Sequence, residues 1–175
     1  MQNKKIKWIT RTGVLLALLI TLQWGTAGTQ AFAGQYITGS CVNAVLAVAV
    51  LFSGVWSGVT IALLSPFFAK ALGIGPQLIQ IVPAIAAGNL VYVLLLYLAD
   101  KKLRAFSIVP AALGKFLTLY LLVVKCIVPL LAEKLKPQQI ATFSMMFSYP
   151  QLITALIGGL MACAIVPLLK KATQS

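Results

Sequence analysis

Long apolar runs, separated by short polar stretches, extend along almost the whole chain. Several of them approach or exceed the roughly 18–20 residues that a helix needs to cross a bilayer core. The pattern therefore predicts an all-α integral membrane protein with one membrane domain over residues 1–175. Six short transmembrane helices are expected, at about residues 8–25, 41–53, 56–72, 78–99, 106–132 and 150–170.

The apolar run at residues 42–72 is the hardest one to assign. As one helix it would extend about 46 Å, at 1.5 Å per residue, which is too long for a core about 30 Å thick. The sequence SGVWSG at residues 53–58 allows a tight break and favours two helices. One helix near residues 42–64, followed by a linker at Pro66, is the alternative.

Basic residues are distributed unevenly over the ends of the predicted helices. With six helices and a cytoplasmic N-terminus, the cytoplasmic side carries Lys4, Lys5, Lys7, Arg11, Lys101, Lys102, Arg104, Lys170 and Lys171, whereas the outer side carries Lys70, Lys134 and Lys136. Five helices would reduce this difference. Because Lys and Arg favour cytoplasmic loops, the charges favour six helices with both termini in the cytoplasm.

The N-terminal segment also has features of a cleaved signal peptide. A basic head and an apolar run precede Ala31-Phe32-Ala33, which has the A-x-A form of a cleavage site. The apolar run ends near Leu22, however, which is far from Ala33 for such a site, and further membrane segments follow. We therefore expect this segment to be retained as the first helix, with cleavage as the alternative.

Composition supports the membrane assignment and excludes several functions. The chain is 61% hydrophobic and 9% charged, whereas soluble domains have about 25% charged residues. Its net charge of +12 does not indicate a nucleic-acid partner, because the basic residues flank apolar spans and suit membrane topology and anionic headgroups. The expected surrounding partner is the lipid bilayer.

Groups that catalyse reactions or bind metals are scarce. The chain has no histidine and two acids, Asp100 and Glu133, both at the ends of predicted helices. Acid–base pairs and nucleophile–histidine arrangements therefore cannot be assembled, and the usual metal sites are nearly excluded. The three cysteines have no paired spacing, which argues against a disulfide framework. We expect neither an enzyme nor a bound metal or cofactor.

Two lysines lie inside the fifth predicted helix. Lys125 is about 28 Å from the inner end of that helix, and a lysine within a membrane span is a candidate functional residue. It offers a positive charge to a carboxylate or a polarised carbonyl, unless its flexible stem lets the ammonium reach the outer interface. Lys115 is closer to the inner side, and we expect its side chain to reach that interface.

Polar and aromatic residues supply further candidates for ligand contacts. Asn89 lies near the middle of the fourth predicted helix and Asn43 near the outer start of the second, where an amide needs a partner from another helix or a ligand. Gln151 is expected near an outer helix end, where a polar residue needs no special explanation, and the rim of a pocket is the alternative. Tyr36 and Tyr149 are expected near the outer interface, where they are candidates to stack on a flat ligand.

Small residues at four-residue spacing mark one face of the first predicted helix, at Gly13, Ala17 and Thr21. Such a stripe lets another helix approach closely. The last predicted helix has a similar stripe at Ala155, Gly159 and Cys163. Packing within the bundle and docking of another membrane protein are both possible explanations.

In its pattern of apolar spans with a few polar positions, the chain resembles the substrate-binding S components of bacterial energy-coupling factor (ECF) vitamin transporters. The resemblance covers nearly the whole chain and is most evident in TGSCVNAVLAVAVLFSGVWSGVTIALLSPFFAKALGIGP, QIVPAIAAGNLVYVLLLYLA, KFLTLYLLVVK and FSYPQLITALIGG. It implies a multi-pass protein of the bacterial cell membrane. Such a subunit binds a water-soluble vitamin or related micronutrient from outside and delivers it inward with a membrane coupling subunit and two ATPase subunits.

The resemblance also implies roles for two segments. The small-residue stripe of the first helix, usually two alanines four residues apart in this family, contacts the coupling subunit, and here Gly13 replaces the first alanine. The stretch QWGTAGTQAFAGQYITGS at residues 23–40 corresponds to a long loop that acts as a lid, with ligand contacts from Gln30, Gln35, Tyr36 and Thr38. Deletion of residues 27–34 is then expected to weaken ligand retention.

Two alternatives belong to other functional classes. One is a free-standing facilitator that works without ATPases, and the other is a structural or assembly protein with no small ligand. The chain lacks the G-x-x-x-x-G-K-[ST] loop that binds nucleotide phosphates, so ATP hydrolysis by that route requires a partner.

Overall fold

The computed structural model describes residues 2–27, 32–74 and 78–174, and this part of the chain is almost entirely helical. Six long helices and one short one follow each other. They are α1 (Gln2–Ala27), α2 (Phe32–Val48, extended by a π-helical turn at Ala49–Ser53), α3 (Val55–Ala71), α4 (Ile81–Leu103), α5 (Ile108–Leu119, continued as a π-helix at Tyr120–Ile127 and a last turn at Val128–Leu130), the short α6 (Pro137–Met146) and α7 (Tyr149–Gln174). The prediction of an all-α membrane protein with six helices is confirmed, although the helices are longer than the short ones that were expected.

The outer surface of the bundle is apolar, as a membrane protein requires. Within the described part of the chain, five helical segments are long and apolar enough to cross a membrane, and α3 is a shorter apolar helix of 17 residues. Val14, Leu98 and Leu160 expose 62%, 60% and 64% of their surface. Side chains of this kind would form large apolar patches in water, so the surroundings that suit them are lipid.

The long helices alternate in direction, which gives the bundle two ends. The end that carries α6, the end of α1 and the start of α2 is called the α6 end, and the opposite one is called the termini end. At the α6 end, the Thr38 hydroxyl donates a hydrogen bond to Thr26 Oγ1 at 2.7 Å. Near the termini end, the Thr12 hydroxyl donates to Ser57 Oγ at 2.9 Å. These bonds connect α1 to α2 and to α3.

The predicted break between the second and third helices is confirmed. Gly54 separates the π-helical turn of α2 from α3, and its φ of 98° lies in the left-handed region that favours glycine. Pro66, which marked a linker in the alternative assignment, is buried inside α3. The single-helix alternative is therefore wrong.

The long loop predicted at residues 23–40 is mostly helical, which corrects the sequence-based expectation. Helix α1 continues through Ala27 and α2 begins at Phe32, so the connection between them, with Gln30, lies outside the described residues. Small residues of α2 within this segment are packing residues of a membrane helix. Gly34 and Ser40 are buried, and a Cβ on Gly39 would lie 2.9 Å from the Thr154 side chain. Helix α2 therefore packs closely on α7.

The connection between the last two long helices contains α6, which was not predicted. Pro137 occupies its first turn, and the Lys136 N–H donates a hydrogen bond to Gln139 Oε1 at 3.0 Å. Proline at the start of a helix and glutamine three residues after the cap are known helix-start signals. The sequence therefore contained a signal for α6 that hydropathy alone did not detect.

Two apolar clusters form the core. The larger cluster joins α1, α2, α3, α4, α5 and α7 around residues such as Leu46, Tyr92 and Leu96. The smaller cluster lies at the α6 end and comprises Ile81, Ala84, Leu119, Val123, Val128, Phe143 and Phe147. Through Phe143 and Phe147, α6 and the residue after it cover the ends of α4 and α5. We call this second group the α6-end cluster.

Candidate functional site

A buried lysine in the bundle is the centre of the candidate site. Lys115 exposes 3% of its surface, so the prediction that it reaches the inner interface is wrong. It shares the inner face of α5 with Ala111, Ala112 and Leu119, which are all buried. Two amide oxygens accept hydrogen bonds from its ammonium, so the ammonium does not need to reach water.

Three helices meet at this ammonium. Lys115 Nζ donates a hydrogen bond to Asn43 Oδ1 of α2 at 2.6 Å and another to Asn89 Oδ1 of α4 at 2.7 Å. Both asparagines expose 1% of their surface. The ammonium also lies 5.8 Å from the centroid of the Tyr92 ring, a distance at which the ring attracts a cation.

A fourth helix, α7, extends this polar network. Asn43 Nδ2 donates to Thr154 Oγ1 at 3.3 Å, and the Thr154 hydroxyl donates to the Gln151 carbonyl at 3.3 Å. Hydrogen bonding of this kind allows polar groups to be buried without a large cost. Asn43, Asn89, Lys115 and Thr154 are called the Lys115 cluster below.

Close packing of α2 on α7 holds Asn43 in its position. A Cβ on Gly158 of α7 would lie 2.5 Å from Asn43 Cβ, 2.6 Å from the Ala44 nitrogen and 2.7 Å from the Ser40 carbonyl oxygen. Backbone atoms cannot move aside for a side chain as a flexible neighbour can. The small size of Gly158 is therefore necessary for this contact, which packs α2 closely against α7 beside the cluster.

Within the part of the chain that the structure describes, no acidic side chain lies beside Lys115. Asp100 and Glu133 are the two acids of the chain. Asp100 follows Asn89 by eleven residues on α4, about 16 Å along the helix axis, and Glu133 lies beyond the end of α5. A lysine near the bilayer centre costs about 2.5–3.5 kcal/mol on insertion scales. Amide and hydroxyl dipoles of the cluster offset part of this cost.

The predicted polar residues fall into two groups. Asn43 and Asn89 belong to the Lys115 cluster, whereas Gln35 and Gln151 meet at the α6 end. Gln35 Nε2 donates to the Met146 carbonyl at 2.8 Å, and Gln151 Nε2 donates to the same oxygen at 3.0 Å. This arrangement, called the Met146 junction below, ties the end of α6 to the starts of α2 and α7.

The two predicted tyrosines also lie at the α6 end. Tyr36 is half-buried at the start of α2, and Tyr149 exposes 50% of its surface at the start of α7. Asn43 follows Tyr36 by seven residues, about 10 Å along the helix axis. The tyrosines and the Met146 junction therefore form an upper level of the candidate site, and the Lys115 cluster forms a deeper one.

Lys125 lies apart from both levels. Its side chain is exposed on the π-helical segment Tyr120–Ile127, and its ammonium is 5.6 Å from the centroid of the Tyr120 ring. Ten residues separate it from Lys115, and the two side chains lie on different faces of the helix. Its predicted role as a substrate ligand stays a prediction, without support from contacts to the other candidate residues.

The Lys115 cluster is closed in this structure. Leu119 and Val123 of α5, with Phe143 of α6, belong to the apolar cluster between it and the α6 end. Two surface clefts, one along α6 at Thr142 and one between α1 and α3 at Trp56, have no lining residue from the Lys115 cluster. A ligand from the α6 end would reach Lys115 only after side chains of the α6-end cluster move.

Comparison with known proteins gives one clear result. A family model described as "ECF transporter, substrate-specific component" matches residues 7–170. No curated protein and no solved structure gives a significant match. The matched region includes all four helices of the Lys115 cluster. Because it covers nearly the whole sequence, the chain belongs to the family of substrate-specific components of ECF transporters.

Proposed function

We propose that the protein is the S component of an ECF-type importer in a bacterial cell membrane, and not an enzyme. It captures a water-soluble vitamin or related micronutrient from outside and delivers it inward with a membrane coupling subunit and two ATPase subunits. The observation that carries the proposal is the family match over residues 7–170. The buried polar cluster inside an apolar bundle supports it.

In this proposal the substrate binds between the two levels of the candidate site. Asn43 and Asn89, together with Lys115, form the deep part, and Gln35, Tyr36, Tyr149 and Gln151 form the upper part. Buried polar groups that converge from several helices are typical of small-molecule sites. The hydrogen bonds among them then represent the ligand-free state, and substrate replaces some of these bonds.

The proposed orientation has the termini end in the cytoplasm and the α6 end outside. The basic residues near the chain termini and around residues 101–104 support this orientation, because such residues favour the cytoplasmic side. Substrate would then enter from the α6 end. The elements that must move for entry are α6 and the α6-end cluster.

The small-residue stripe of α1 is the proposed contact with the coupling subunit. Gly13, Ala17 and Thr21 are all exposed, and a Cβ on Gly13 would meet nothing within 4 Å. The Thr21 hydroxyl donates to the Ala17 carbonyl at 2.9 Å, so its hydrogen-bonding capacity is used within α1. A flat and apolar helix face of this kind suits another membrane helix. In contrast, Ala155 and Gly159 of the second stripe are buried within the bundle.

Affinity purification of the tagged chain from its own membranes tests the proposal. A coupling subunit and two ATPases are expected to co-purify, and mass spectrometry identifies them. A free-standing facilitator or an assembly protein would be recovered without ATPases. Recovery without ATPases, in a mild detergent that preserves other multisubunit transporters from the same membranes, would contradict the proposed function.

A further inference from the structure

The Lys115 cluster also indicates the chemical class of the substrate. We propose that the substrate carries one carboxylate, which binds Lys115 Nζ with the amide groups of Asn43 and Asn89. This inference rests on the proposed function and deepens it, because it assigns a substrate class to the same site. The charge balance, the available donors and the number of buried cations each support it.

Charge balance is the first argument. Lys115 is the only buried charged side chain among those that the structure describes. Both acids of the chain are far from the cluster, because Asp100 lies further along α4 and Glu133 lies beyond the end of α5. Neither can therefore neutralise the ammonium. A monoanionic ligand would supply the missing counter-charge, whereas a cationic ligand would add a second positive charge in a region of low dielectric constant.

The available donors are the second argument. An ammonium has three N–H donors. Two of those on Lys115 donate hydrogen bonds to Asn43 and Asn89. Each asparagine also has an NH₂ group, and the one of Asn43 makes a long bond of 3.3 Å to Thr154. A carboxylate accepts about four hydrogen bonds and donates none. The cluster therefore offers the third ammonium N–H and amide N–H groups to an acceptor-only ligand group.

The number of buried cations favours a carboxylate over a phosphate. A phosphate ester carries about −1.5 to −2 charges at neutral pH, and the cluster offers one cation. Binding of a phosphate would leave excess negative charge buried among apolar helices. Towards the α6 end, the neighbours are Leu119, Val123 and Phe143. We therefore expect a molecule with its carboxylate at Lys115 and a less polar body that faces the α6-end cluster.

Matched pairs of ligands test the proposal on the purified full-length protein. The pairs of acid and uncharged partner are nicotinate and nicotinamide, biotin and biotinamide, and pantothenate and panthenol. Thermal unfolding in detergent measures the effect of each ligand on the Tm of the protein. Riboflavin, thiamine and pyridoxal phosphate represent uncharged, cationic and phosphorylated vitamins. At least one carboxylate is expected to raise the Tm, and its uncharged partner to have a much smaller effect. Equal effects within every pair, no effect of any carboxylate, or stabilisation only by the other vitamins would overturn the proposal.

Variants of the cluster test whether Lys115 acts through its charge. Lys115→Gln is expected to reduce the affinity for the stabilising carboxylate at least 100-fold and to remove the difference between acid and uncharged partner. Lys134→Gln, which changes an exposed lysine beyond α5, serves as the matched control with unchanged affinity. Unchanged affinity in the Lys115 variant would contradict the proposal.

Asn89→Asp keeps the test valid if Lys115→Gln does not fold. The new carboxylate would retain an oxygen acceptor for Lys115 and would supply a counter-charge within the chain. The variant is expected to keep the unfolding temperature and to lose most of its affinity for the carboxylate. If Lys115 only held the helices together, the affinity would not change, and that result would overturn the proposal.

These outcomes separate the substrate class from the proposed function. If an uncharged vitamin binds and the ATPases co-purify, the substrate-class inference fails and the proposed function stands. If a carboxylate binds through Lys115 and no ATPase co-purifies, the binding site stands and the transport assignment fails.

Discussion

At the scale of single residues, Lys115 shows how a charge is accommodated within an apolar bundle. Its ammonium donates to two buried amides, and these amides come from two other helices. Removal of one member would leave buried polar atoms without a partner, which costs about 1–3 kcal/mol and more for charged groups. The effects of substitutions at these residues on the free energy of unfolding should therefore be strongly non-additive.

A double-mutant cycle tests this dependence. Asn89→Leu alone is expected to destabilise the protein by about 1–3 kcal/mol, because it removes an acceptor from a buried ammonium. In a Lys115→Met background the same change should cost much less, since no charge then needs the amide. Thermal and denaturant unfolding in detergent measure both effects. Equal costs in the two backgrounds would show that the hydrogen bond contributes little.

Gly158 provides a second test at the residue scale. Gly158→Ala places a methyl group against the backbone of α2, and we expect a loss of about 1–3 kcal/mol from overpacking. Gly25→Ala is the matched control on α1, because a Cβ there meets nothing within 4 Å. The unfolding temperature should fall for the first variant and stay the same or rise for the second. Equal stability of the two variants would disprove the close α2–α7 contact.

Residue types in the sequence identified part of this site. Asn43 and Asn89 could be selected because an amide inside a membrane span needs a partner. The expectation that Lys115 reaches the inner interface was wrong, because hydropathy does not determine how α5 is rotated about its axis. Ala111 and Ala112 precede Lys115, and Leu119 follows it, at spacings of three or four residues. This spacing places all of them on one helix face, and it was the available signal that Lys115 faces inward.

At the scale of elements, α6 is the segment best placed to control access to the site. It lies across the α6 end, packs through Phe143, and is tied to α2 and α7 by the Met146 junction. Because α6 covers this end of the bundle, we expect it to move when substrate enters. The lid role that the sequence predicted for residues 23–40 stays a prediction.

Loss of the Met146 junction should loosen α6. In a variant with Gln35→Leu and Gln151→Leu, we expect faster hydrogen exchange of the backbone amides of residues 137–146, because both donors to the Met146 carbonyl are removed. Gln80→Leu, at an exposed position, is the matched control. Exchange in α1 and the middle of α2 should not change. Unaltered exchange in α6 would mean that the apolar contacts hold it without the junction.

The elements differ in how well the sequence predicted them. Helices α1, α4, α5 and α7 agree with the predicted ones apart from their ends, since long apolar runs are a strong signal. The break at Gly54 was found because glycine punctuates helices. The start of α2 was missed because glycine and threonine are loop residues in water and packing residues in a membrane. Helix α6 was missed because hydropathy alone does not detect a short and partly polar helix, and the proline and glutamine signals at its start were not used.

At the scale of the whole molecule, the fold separates the buried Lys115 cluster from two exposed features. The cluster lies inside, α6 lies at one end, and the small-residue stripe of α1 lies on the side. The proposed coupling subunit can then dock on α1 without contact to the substrate. Binding and docking should therefore respond to different substitutions.

Ala17→Leu tests the docking surface. The larger side chain would prevent close approach of another helix, so we expect at least a tenfold loss of co-purified ATPases. Ala164→Leu is the matched control, because Ala164 is also an exposed alanine, on α7. Both variants should unfold at the wild-type temperature. Equal recovery of ATPases with both variants would indicate that the coupling subunit binds another face.

Vitamin uptake from a defined medium tests the central claim most directly. Depletion of each vitamin is followed by mass spectrometry in cells that express the chain with the coupling subunit and both ATPases, with hydrolysis-deficient ATPases, or alone. Accumulation of one vitamin is expected only in the first cells, because the chain supplies recognition and its partners supply the energy. Equal accumulation by the chain alone would contradict this division of roles.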